Sequence, residues 1–383
     1  MFIKDLNKYK KSLVIIPFSL PWDWSADYER QTAITLAKKG YKVIVYLDTD
    51  SHFFFRGKKK KYPKISNIFF YIPVYLIPFK RFSFIEKVNQ FINLNYLMWR
   101  YSRYKKIILW IFHPKFYAFP KILKRKAISL YDCVDYYESI DFERDMKIKK
   151  MEKDLIENSD YFFVNSKSLR KLHSKDKKKI FLVPQGFSIL DFLSPKKSNV
   201  KFPQNKLLVG FVGSLDYRLD FDLLFQIIQN RQDCNFVFWG PVNTDYEEDY
   251  FHTSQKIKKL LSFKNVIYGK SKNRSEIPNI IKQFDISIIP YDIKQKANKY
   301  CYPMKLFEYF YSGIPVISTP IEDFSHFKDL VFIGNDYKEW ERLIKLILAQ
   351  AWSKKLRSKQ KKLAKENSWE KKLNRILKFI NSK

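Results

Sequence analysis

The chain has 383 residues, which corresponds to two or three domains of ordinary size. Its hydrophobic fraction of 46% is typical of a folded protein, and a total of only 9 glycines excludes collagen-like and glycine-rich sequences. Three widely spaced cysteines, Cys133, Cys234 and Cys301, argue against a disulfide scaffold and a cysteine-based zinc site, and favour a reducing compartment. No apolar run approaches the roughly 18 residues that a membrane span needs. The polar start MFIKDLNKYKK is unlike a signal peptide, so we expect a soluble cytosolic protein.

Positive charge dominates the surface chemistry, with 72 Lys+Arg against 39 Asp+Glu and a formal net charge of +33. Such an excess indicates an anionic partner. Residues 51–130 hold 18 basic residues and a single acidic one, Glu86, interleaved with aromatic residues. This composition suits an anionic membrane interface or a groove for single-stranded nucleic acid. It is also compatible with aromatic residues that form a core and lysines that lie in a solvated loop.

The first half of the chain alternates strands and helices in the way that is typical of a parallel sheet. The apolar run 12–17 predicts a buried strand, a helix from Tyr28 ends at Gly40, and a second strand follows at 41–47. A further helix is predicted at 147–158, and further strands at 106–112, 127–131, 161–165 and 179–183. These elements predict one α/β domain, residues 1–195.

A second α/β series begins after the polar segment 194–206, which predicts a linker. Its strands are expected at 207–212, 235–239, 266–268, 285–290 and 315–318, with helices between them and at 337–350. Residues 206–365 therefore predict a second domain, and an amphipathic basic helix follows at 369–381. The chain lacks G-x-G-x-x-G, Walker A, H-E-x-x-H and G-x-S-x-G motifs, which argues against dinucleotide oxidoreductases, P-loop NTPases, zincins and α/β-hydrolases.

Three motifs of the second half bring chemistry to the ends of predicted strands. The strand in LVGFVGSL ends at Gly213, where a ligand phosphate can approach the backbone, and Arg218 follows. FVFWGP repeats the strand-then-glycine pattern at Gly240. In YPMKLFEYFYSGIPVIST, Lys305 lies in the first turn of a helix, where it suits a phosphate, and Glu308 can accept hydrogen bonds from two ribose hydroxyls. A Lys305–Glu308 salt bridge would explain the spacing equally well.

These motifs resemble those of the GT-B glycosyltransferases, specifically the family 4 type and its teichuronic acid and capsule biosynthesis branch. The resemblance covers nearly the whole chain. It rests on segments in the same order and spacing as in the family: LYDCVDYYESI (130–140), DYFFVNSKSLRKL (160–172), IFLVPQGFSILDF (180–192), GFVGSLDYRLDFDLL (210–224), FVFWGPV (236–242), NVIYGKSKNRSEIPNIIKQFDISIIPY (265–291) and YPMKLFEYFYSGIPVIST (302–319). The final NSWEKKLNRILKFI (367–380) resembles the family's last helix, which crosses back to the first domain.

The resemblance implies an α/β fold of two Rossmann-like parallel-sheet domains that face a cleft. The first would bind the acceptor, the second the nucleotide-sugar donor, and the C-terminal helix, 366–383, would pack on the first domain. The implied enzyme is a hexosyltransferase without cofactor or metal, using a UDP or GDP sugar and a lipid-linked or polysaccharide acceptor. Transfer passes through an oxocarbenium-like transition state, in which Lys305 and Arg218 would stabilise the charge on the leaving diphosphate.

The resemblance also assigns donor-binding residues. Glu308 matches the second glutamate of the family's E-x7-E motif, which binds the donor ribose, and Lys305 matches the lysine of the P-x-K-x-x-E-Y pattern near the phosphates. Gly213 and Arg218 match the loop that contacts the diphosphate. The same implied set includes Gly240 and Tyr302.

The chain departs from the family pattern at three places. Tyr300 stands where the first glutamate of E-x7-E is expected, and Leu219 stands where the family has a lysine. The segment FSLPWD replaces the N-terminal Gly-Gly loop. These departures concern the contacts of the donor sugar more than the class of reaction.

Catalytic candidates of the first half lie near predicted strand ends. His113 is a candidate contact to the donor, although a histidine before proline is often structural. Asp23 and Asp132 could orient or deprotonate the acceptor hydroxyl, or could be caps or turn residues. Asp48 and Asp50 mimic the D-x-D metal motif of the other glycosyltransferase fold, but the end of a second βαβ strand is a poor place for it, and we predict no metal site.

We expect residues 51–130 to face the anionic inner leaflet, so that the protein is cytoplasmic and peripheral to the plasma membrane, without a nucleic-acid partner. Two alternatives stay open. The charge alone would suit a nucleic-acid-binding protein, although helix-turn-helix, RNP and zinc signatures are lacking. Tyr300 in place of glutamate would suit a catalytically silent nucleotide-sugar-binding subunit. The sequence leaves open the sugar, the base, the acceptor and the stereochemical outcome.

Overall fold

A computed structural model gives the architecture of the chain. It describes residues 12–22, 28–47, 61–74, 76–77, 83–137, 142–176, 179–193, 195, 200–243, 250–270, 274–327, 329–349 and 352–382. The chain forms two compact units, Met1–Val183 with Leu373–Lys383 and Pro184–Lys372. The predicted linker 194–206 therefore lies within the second unit.

The first unit is built on a seven-stranded parallel sheet. Its strands are β1 (Ser12–Phe18), β2 (Lys42–Leu47), β3 (Ile68–Tyr71), β4 (Lys106–Ile111), β5 (Ile128–Cys133), β6 (Tyr161–Val164) and β7 (Ile180–Leu182). Their order is β3-β2-β1-β4-β5-β6-β7, so the order reverses between β1 and β4. The described helices are α1 (Tyr28–Lys38), α2 (Ser83–Arg100), α3 (Phe119–Ile122), α4 (Phe142–Asn158) and α5 (Lys167–Leu172), with a 3-10 turn at Pro114–Phe116.

The central strand β1 shows why this sequence forms a sheet covered on both faces. All seven of its residues are buried. Successive side chains of a strand point to opposite faces, and accordingly Val14 and Ile16 join one hydrophobic cluster whereas Leu13 and Ile15 join another. A continuous apolar run is therefore required, which is the pattern of a buried parallel strand.

The second unit contains a six-stranded parallel sheet. Its strands are β8 (Leu207–Val212), β9 (Cys234–Trp239), β10 (Val266–Gly269), β11 (Ile286–Ile289), β12 (Val316–Ser318) and β13 (Val331–Ile333), in the order β10-β9-β8-β11-β12-β13. Its described helices are α6 (Leu190–Leu193), α7 (Phe221–Asn230), α8 (Tyr250–Leu261), α9 (Ile277–Ile281), α10 (Lys296–Lys299), α11 (Lys305–Ser312), α12 (Tyr337–Ala349) and α13 (Lys354–Glu366). Two 3-10 turns lie at Arg274–Glu276 and Glu322–Phe327.

The last helix, α14 (Trp369–Asn381), joins the two units covalently a second time, because its residues from Leu373 onward belong to the first unit. Leu373, Ile376 and Ile380 are buried in the same hydrophobic cluster as Val14. The Lys106 Nζ donates to the Ile380 carbonyl at 3.3 Å, which anchors the end of the helix. The predicted α/β fold with a returning C-terminal helix is confirmed.

No helix within the described ranges is both long and apolar enough to cross a bilayer.

Candidate functional site

The carboxyl edge of the second sheet gathers most of the predicted donor-binding residues. The strand order reverses between β8 and β11, and ligands of open α/β sheets bind at such reversals, beyond the carboxyl ends of the strands. Gly213 directly follows β8 and Gly240 directly follows β9, while Tyr291 lies just beyond β11. Helix α11 begins with Lys305 at the same edge, which is shown by the contact of its ammonium with Tyr291.

The two glycines are required by close approach. A Cβ at Gly240 would lie 2.1 Å from the Gly213 carbonyl oxygen, which is a clash with backbone. A Cβ at Gly213 would lie 2.6 Å from the Lys305 Nζ. The Gly213 N–H donates to the Trp239 carbonyl at 3.0 Å, which holds the first loop against the end of β9. With glycine at both positions, no side chain covers the backbone beside the Lys305 ammonium. A phosphate group can then approach this backbone and the ammonium together.

Lys305 is held between aromatic side chains. Its Nζ donates to the Tyr291 hydroxyl at 2.7 Å and lies 4.0 Å from the centre of the Phe211 ring. Desolvation, and then the nearby positive charge of Arg218, lower the pKa of Lys305 to about 7. A lysine in this state changes charge near neutral pH, and an arriving diphosphate would favour its charged form.

Arg218 is fixed by Asp216, a site residue that the sequence analysis missed. The Arg218 Nε donates to Asp216 Oδ1 at 2.9 Å and its Nη2 to Oδ2 at 2.6 Å, which is a two-point pairing. The Asp216 side chain is 4% exposed, whereas that of Arg218 is 39% exposed. The buried carboxylate therefore orients an accessible guanidinium. The spacing Asp-x-Arg is a weak signal, because the reverse pair Arg231–Asp233 makes the same contact elsewhere on the unit.

The loop that carries Arg218 is tied to the segment after β11. Asp292 N–H and Asn298 Nδ2 both donate to the Arg218 carbonyl, at 2.8 Å and 3.1 Å. Leu219, which stands where the family has a lysine, is buried and pairs with Tyr291 through an isolated bridge. In this loop the positive charge therefore comes from Arg218, next to Lys305 of α11.

Glu308 is buried, and its ion pair is with Arg274. Arg274 also donates from Nε to the Asp191 Oδ2 at 2.9 Å. Burial alone would lower the pKa of Arg274, but the Glu308 and Asp191 carboxylates raise it. Because Lys305 donates to Tyr291 instead, a Lys305–Glu308 salt bridge is not the reason for the spacing of the motif. Arg274 and Asp191 lie in segments that carry the family resemblance, but neither was singled out as a site residue.

Tyr302, a predicted donor-binding residue, lies in the core of the second unit, and its contact with the donor stays a prediction. It is buried, and its ring packs against Phe307 at 5.8 Å and Phe327 at 6.3 Å between centroids. Burial raises the pKa of the Tyr302 hydroxyl, and the nearby negative charge of Asp323 raises it further. These contacts make Tyr302 a core residue of the second unit. Tyr300, where the family has glutamate, caps the end of α10.

His113 follows β4 directly and caps the 3-10 turn Pro114–Phe116. Its Nδ1 accepts a hydrogen bond from the Lys115 N–H at 3.0 Å, and its ring contacts Tyr137 edge-on at 4.8 Å. This contact gives His113 a structural role at the end of a central strand. A contact of the same side chain with the donor stays a prediction.

Asp132 lies on β5 and has no exposed surface. Its Oδ2 accepts from the Trp110 indole nitrogen at 3.3 Å. Direct contact with an acceptor hydroxyl would need surface that the Asp132 side chain does not expose. The other carboxylate candidates, Asp23, Asp48 and Asp50, lie outside the described residues.

The loop after β1 is held by a carboxylate that the sequence analysis did not consider. Glu29, in the first turn of α1, accepts from the Ser19 N–H at 2.8 Å and from the Ser19 hydroxyl at 2.7 Å. Lys115 Nζ donates to the Ser19 carbonyl at 3.1 Å. This loop begins the segment that replaces the family's Gly-Gly loop, and it lies beside the reversal between β1 and β4. Its shape is set by side-chain contacts with Glu29 and Lys115.

The aromatic residues of 51–130 divide into two groups. Phe70 and Tyr71 are packed, the first against Trp22 and the second with its hydroxyl donating to Asn93. The outer face of α2 and its neighbourhood is instead lined by exposed rings: Phe69, Phe84, Phe91, Tyr96 and Trp99. An apolar groove beside α2 is lined by Val88, Phe91, Tyr117 and Ile122, with Lys87 and Lys121 at its rim. The Phe53–Phe55 aromatics and lysines 58–60 lie outside the described residues.

Known proteins are similar to this chain in sequence and in fold. Residues 194–367 match the family described as "Glycosyl transferases group 1". A teichuronic acid biosynthesis glycosyltransferase by description, TuaH of Bacillus subtilis (strain 168), is 24% identical in an alignment 298 residues long that covers 72% of this chain and 72% of that one.

Two solved structures share the architecture of the whole chain. Sucrose-phosphate synthase of Thermosynechococcus elongatus superposes with a TM-score of 0.77 at 15% identity, covering 97% of this chain and 98% of that one. Anabaena HepE in complex with UDP gives a TM-score of 0.66 at 12% identity, over 97% and 100% of the two chains. At these identities the likeness shows the GT-B fold.

Proposed function

We infer that this chain, a glycosyltransferase of the GT-B fold, moves a sugar from a uridine diphosphate sugar to a lipid-linked acceptor at the cytoplasmic face of the membrane. The proposal that the chain binds this donor rests on the arrangement of residues at the carboxyl edge of the second sheet. There two glycines free the backbone beside Lys305 and Arg218, and the buried carboxylate Glu308 follows one helical turn after Lys305.

The diphosphate would lie against Gly213 and Gly240. Its negative charge grows when the bond to the anomeric carbon breaks, so Lys305 and Arg218 are worth more in the transition state than in the ground state. Asp216 keeps the guanidinium oriented in advance, so that little reorganisation is needed when the charge develops. Glu308 would accept hydrogen bonds from the ribose hydroxyls, with Arg274 orienting its carboxylate.

The choice of uridine rests on similar structures. The Anabaena HepE structure contains UDP, and a trehalose-6-phosphate enzyme of E. coli, with a TM-score of 0.66 to this chain, is described as bound with UDP-2-fluoro glucose. Both are below 25% identity, so they support the proposal through the shared fold.

A thermal-shift comparison of UDP, GDP and their sugars tests the donor part. A ligand at 100 times its dissociation constant stabilises the folded protein by about 2.7 kcal/mol, which is a clear rise in melting temperature. We expect the rise with UDP and its sugars, and its loss in Glu308→Ala. Glu370→Ala, at an exposed glutamate of α14, is the matched control. A larger shift with GDP would refute the uridine assignment, and no shift with any nucleotide would refute the donor site.

The acceptor part rests on the first unit. Phe84, Phe91 and Trp99 leave 76%, 55% and 73% of their surfaces exposed on α2, and the surrounding segment is strongly basic. Aromatic rings of this kind insert at headgroup depth, and each nearby Lys or Arg adds about 1 kcal/mol of attraction to an anionic leaflet. A lipid-linked acceptor would be presented there, and the description of the Bacillus relative is in line with a cell-surface polymer.

Liposome co-sedimentation tests this part separately. We expect binding to anionic vesicles that weakens at high salt, because the screening length falls from about 10 Å at 0.1 M to about 3 Å at 1 M. The pair Phe84→Ser and Trp99→Ser should lose binding, whereas Leu346→Ser, an exposed apolar residue of α12, should not. Equal binding to neutral and anionic vesicles, or no binding to either, would refute the membrane assignment and leave the donor site untouched.

A further inference from the structure

We propose that Cys133, Glu152 and His173 bind one divalent metal ion of the zinc class, at a structural site inside the first unit. Cys133 is the last residue of β5, Glu152 lies within α4, and His173 follows α5. The sequence argued against a cysteine-based zinc site because the cysteines are far apart. The fold instead brings one cysteine together with a carboxylate and an imidazole.

The donor atoms lie close to the spacing that a metal needs. The Cys133 Sγ and the His173 Nε2 are each 3.8 Å from the Glu152 Oε1, and the three ligand atoms all lie within 4.8 Å of one another. With Zn–S of about 2.3 Å and Zn–N or Zn–O of about 2.0–2.1 Å, tetrahedral ligands are roughly 3.3–3.6 Å apart. The two separations from Glu152 are therefore a few tenths of an ångström too long, the third lies within 4.8 Å, and binding of the ion would need side-chain shifts that draw the three donors together.

The surroundings orient these ligands as outer-shell groups do in metal sites. The Asp176 Oδ2 lies 2.9 Å from the His173 Nδ1, and a proton held on Nδ1 by this carboxylate would leave the Nε2 lone pair, on the side of Glu152, for a metal ion. The Tyr131 hydroxyl donates to the Glu152 Oε1 at 2.6 Å and fixes the carboxylate from the other side. A histidine backed by a carboxylate, and a carboxylate backed by a hydroxyl, are the supports typical of first-row metal ligands.

The charge of the cluster also favours a cation. Cys133 is fully buried, and the side chains of Glu152 and His173 are 12% and 14% exposed. A divalent ion would neutralise one thiolate and one carboxylate, leaving an uncharged buried site. It would tie β5 to α4 and to the turn after α5, in a different unit from the donor residues.

Co²⁺ is the probe, because its bond to a thiolate gives a charge-transfer absorption band. The band disappears when Zn²⁺ displaces Co²⁺ from the site. We expect chelator-treated protein to develop this band and to saturate at one Co²⁺ per chain. Cys133→Ser should lose the band. Cys234→Ser is the matched control, because Cys234 is equally buried but lies in the second unit, and Cys301→Ser controls for the more exposed cysteine.

A positioning variant keeps the test decisive if Cys133→Ser does not fold. Asp176→Asn, at a partly exposed residue, should retain the band but weaken the affinity about 10–100-fold, as loss of an outer-shell carboxylate does. A folded wild-type protein without the band, a band that survives Cys133→Ser, or an unchanged affinity in Asp176→Asn would overturn the proposal. None of these readouts depends on transferase activity.

Discussion

Donor affinity should depend on pH through Lys305. Its pKa of about 7 in the free protein follows from desolvation between aromatic rings and from the neighbouring Arg218. A bound diphosphate interacts with the ammonium form, so binding is accompanied by proton uptake whenever the amine is neutral in the free protein. The binding-competent fraction is then the protonated fraction, and the apparent dissociation constant is the intrinsic one divided by that fraction.

The size of the effect follows from the same pKa. The protonated fraction falls from about one half at pH 7 to about one tenth at pH 8, which weakens binding about fivefold. From pH 8 to pH 9, donor binding weakens by nearly tenfold more, or about 1.4 kcal/mol. The decline ends at the pH that equals the pKa of Lys305 in the donor complex. Below pH 6 the affinity should be level with respect to this group.

Isothermal titration with a UDP sugar between pH 6 and pH 9 measures this dependence. The sugar nucleotide is preferable to UDP because its diphosphate has no group that titrates in this range. Lys305→Met should bind weakly and without the pH dependence, whereas Lys305→Arg should bind with a level profile because a guanidinium stays charged. An affinity that is constant from pH 6.5 to pH 8.5 in the wild type, or that falls equally in Lys305→Met, would refute the reasoning.

Three further expectations concern the same edge of the second sheet. Arg218→Ala should lower turnover more than donor affinity, because charge on the leaving group is larger in the transition state, and a rise in the Michaelis constant alone would contradict this. Gly240→Ala should lower the melting temperature and abolish UDP binding, because its Cβ would meet the Gly213 carbonyl oxygen at 2.1 Å, and a variant with wild-type melting and binding would show that the backbone yields there. Lys305→Met should melt above the wild type at pH 6, and the gain should shrink as the pH rises above 7. The reason is that a lysine with a folded pKa below its unfolded value opposes folding fully at low pH and progressively less above that folded pKa, and an equal melting temperature at pH 6 would contradict it.

Most strands were predictable from the sequence, including the short aromatic strand β6, whereas the edge strands β3 and β13 were not. β8 was predicted with its observed bounds, since a strand buried on both faces must be apolar throughout. β3 was missed because IFFY has only four residues, of which only Ile68 is fully buried. Its aromatic side chains were instead interpreted as part of a binding surface. Helix α2 was missed for a related reason. Its exposed face carries aromatic residues, so the helical spacing of its buried apolar residues does not stand out in the sequence.

The sequence predicted the places of residues that local patterns mark, such as a glycine after a strand. It did not predict residues that belong to the site because they contact another site residue. Gly213 and Lys305 were found because a glycine after a buried strand and a cation in a first helical turn are local patterns. Asp216 and Arg274 depend on contacts with Arg218 and Glu308 that only the folded chain brings together. The burial of Tyr302 was not foreseen, because a motif does not show which of its side chains point into the core.

The return of the last helix has a consequence for the order in which the protein matures during synthesis. The second unit is one continuous stretch, Pro184–Lys372, and can complete its core once that stretch has left the ribosome. The first unit, although made first, lacks Leu373, Ile376 and Ile380 until residues 373–383 emerge, and until then the hydrophobic side of its sheet that includes Val14 is open. The nascent first unit is therefore the part that a chaperone would have to shield until the last helix has emerged from the ribosome.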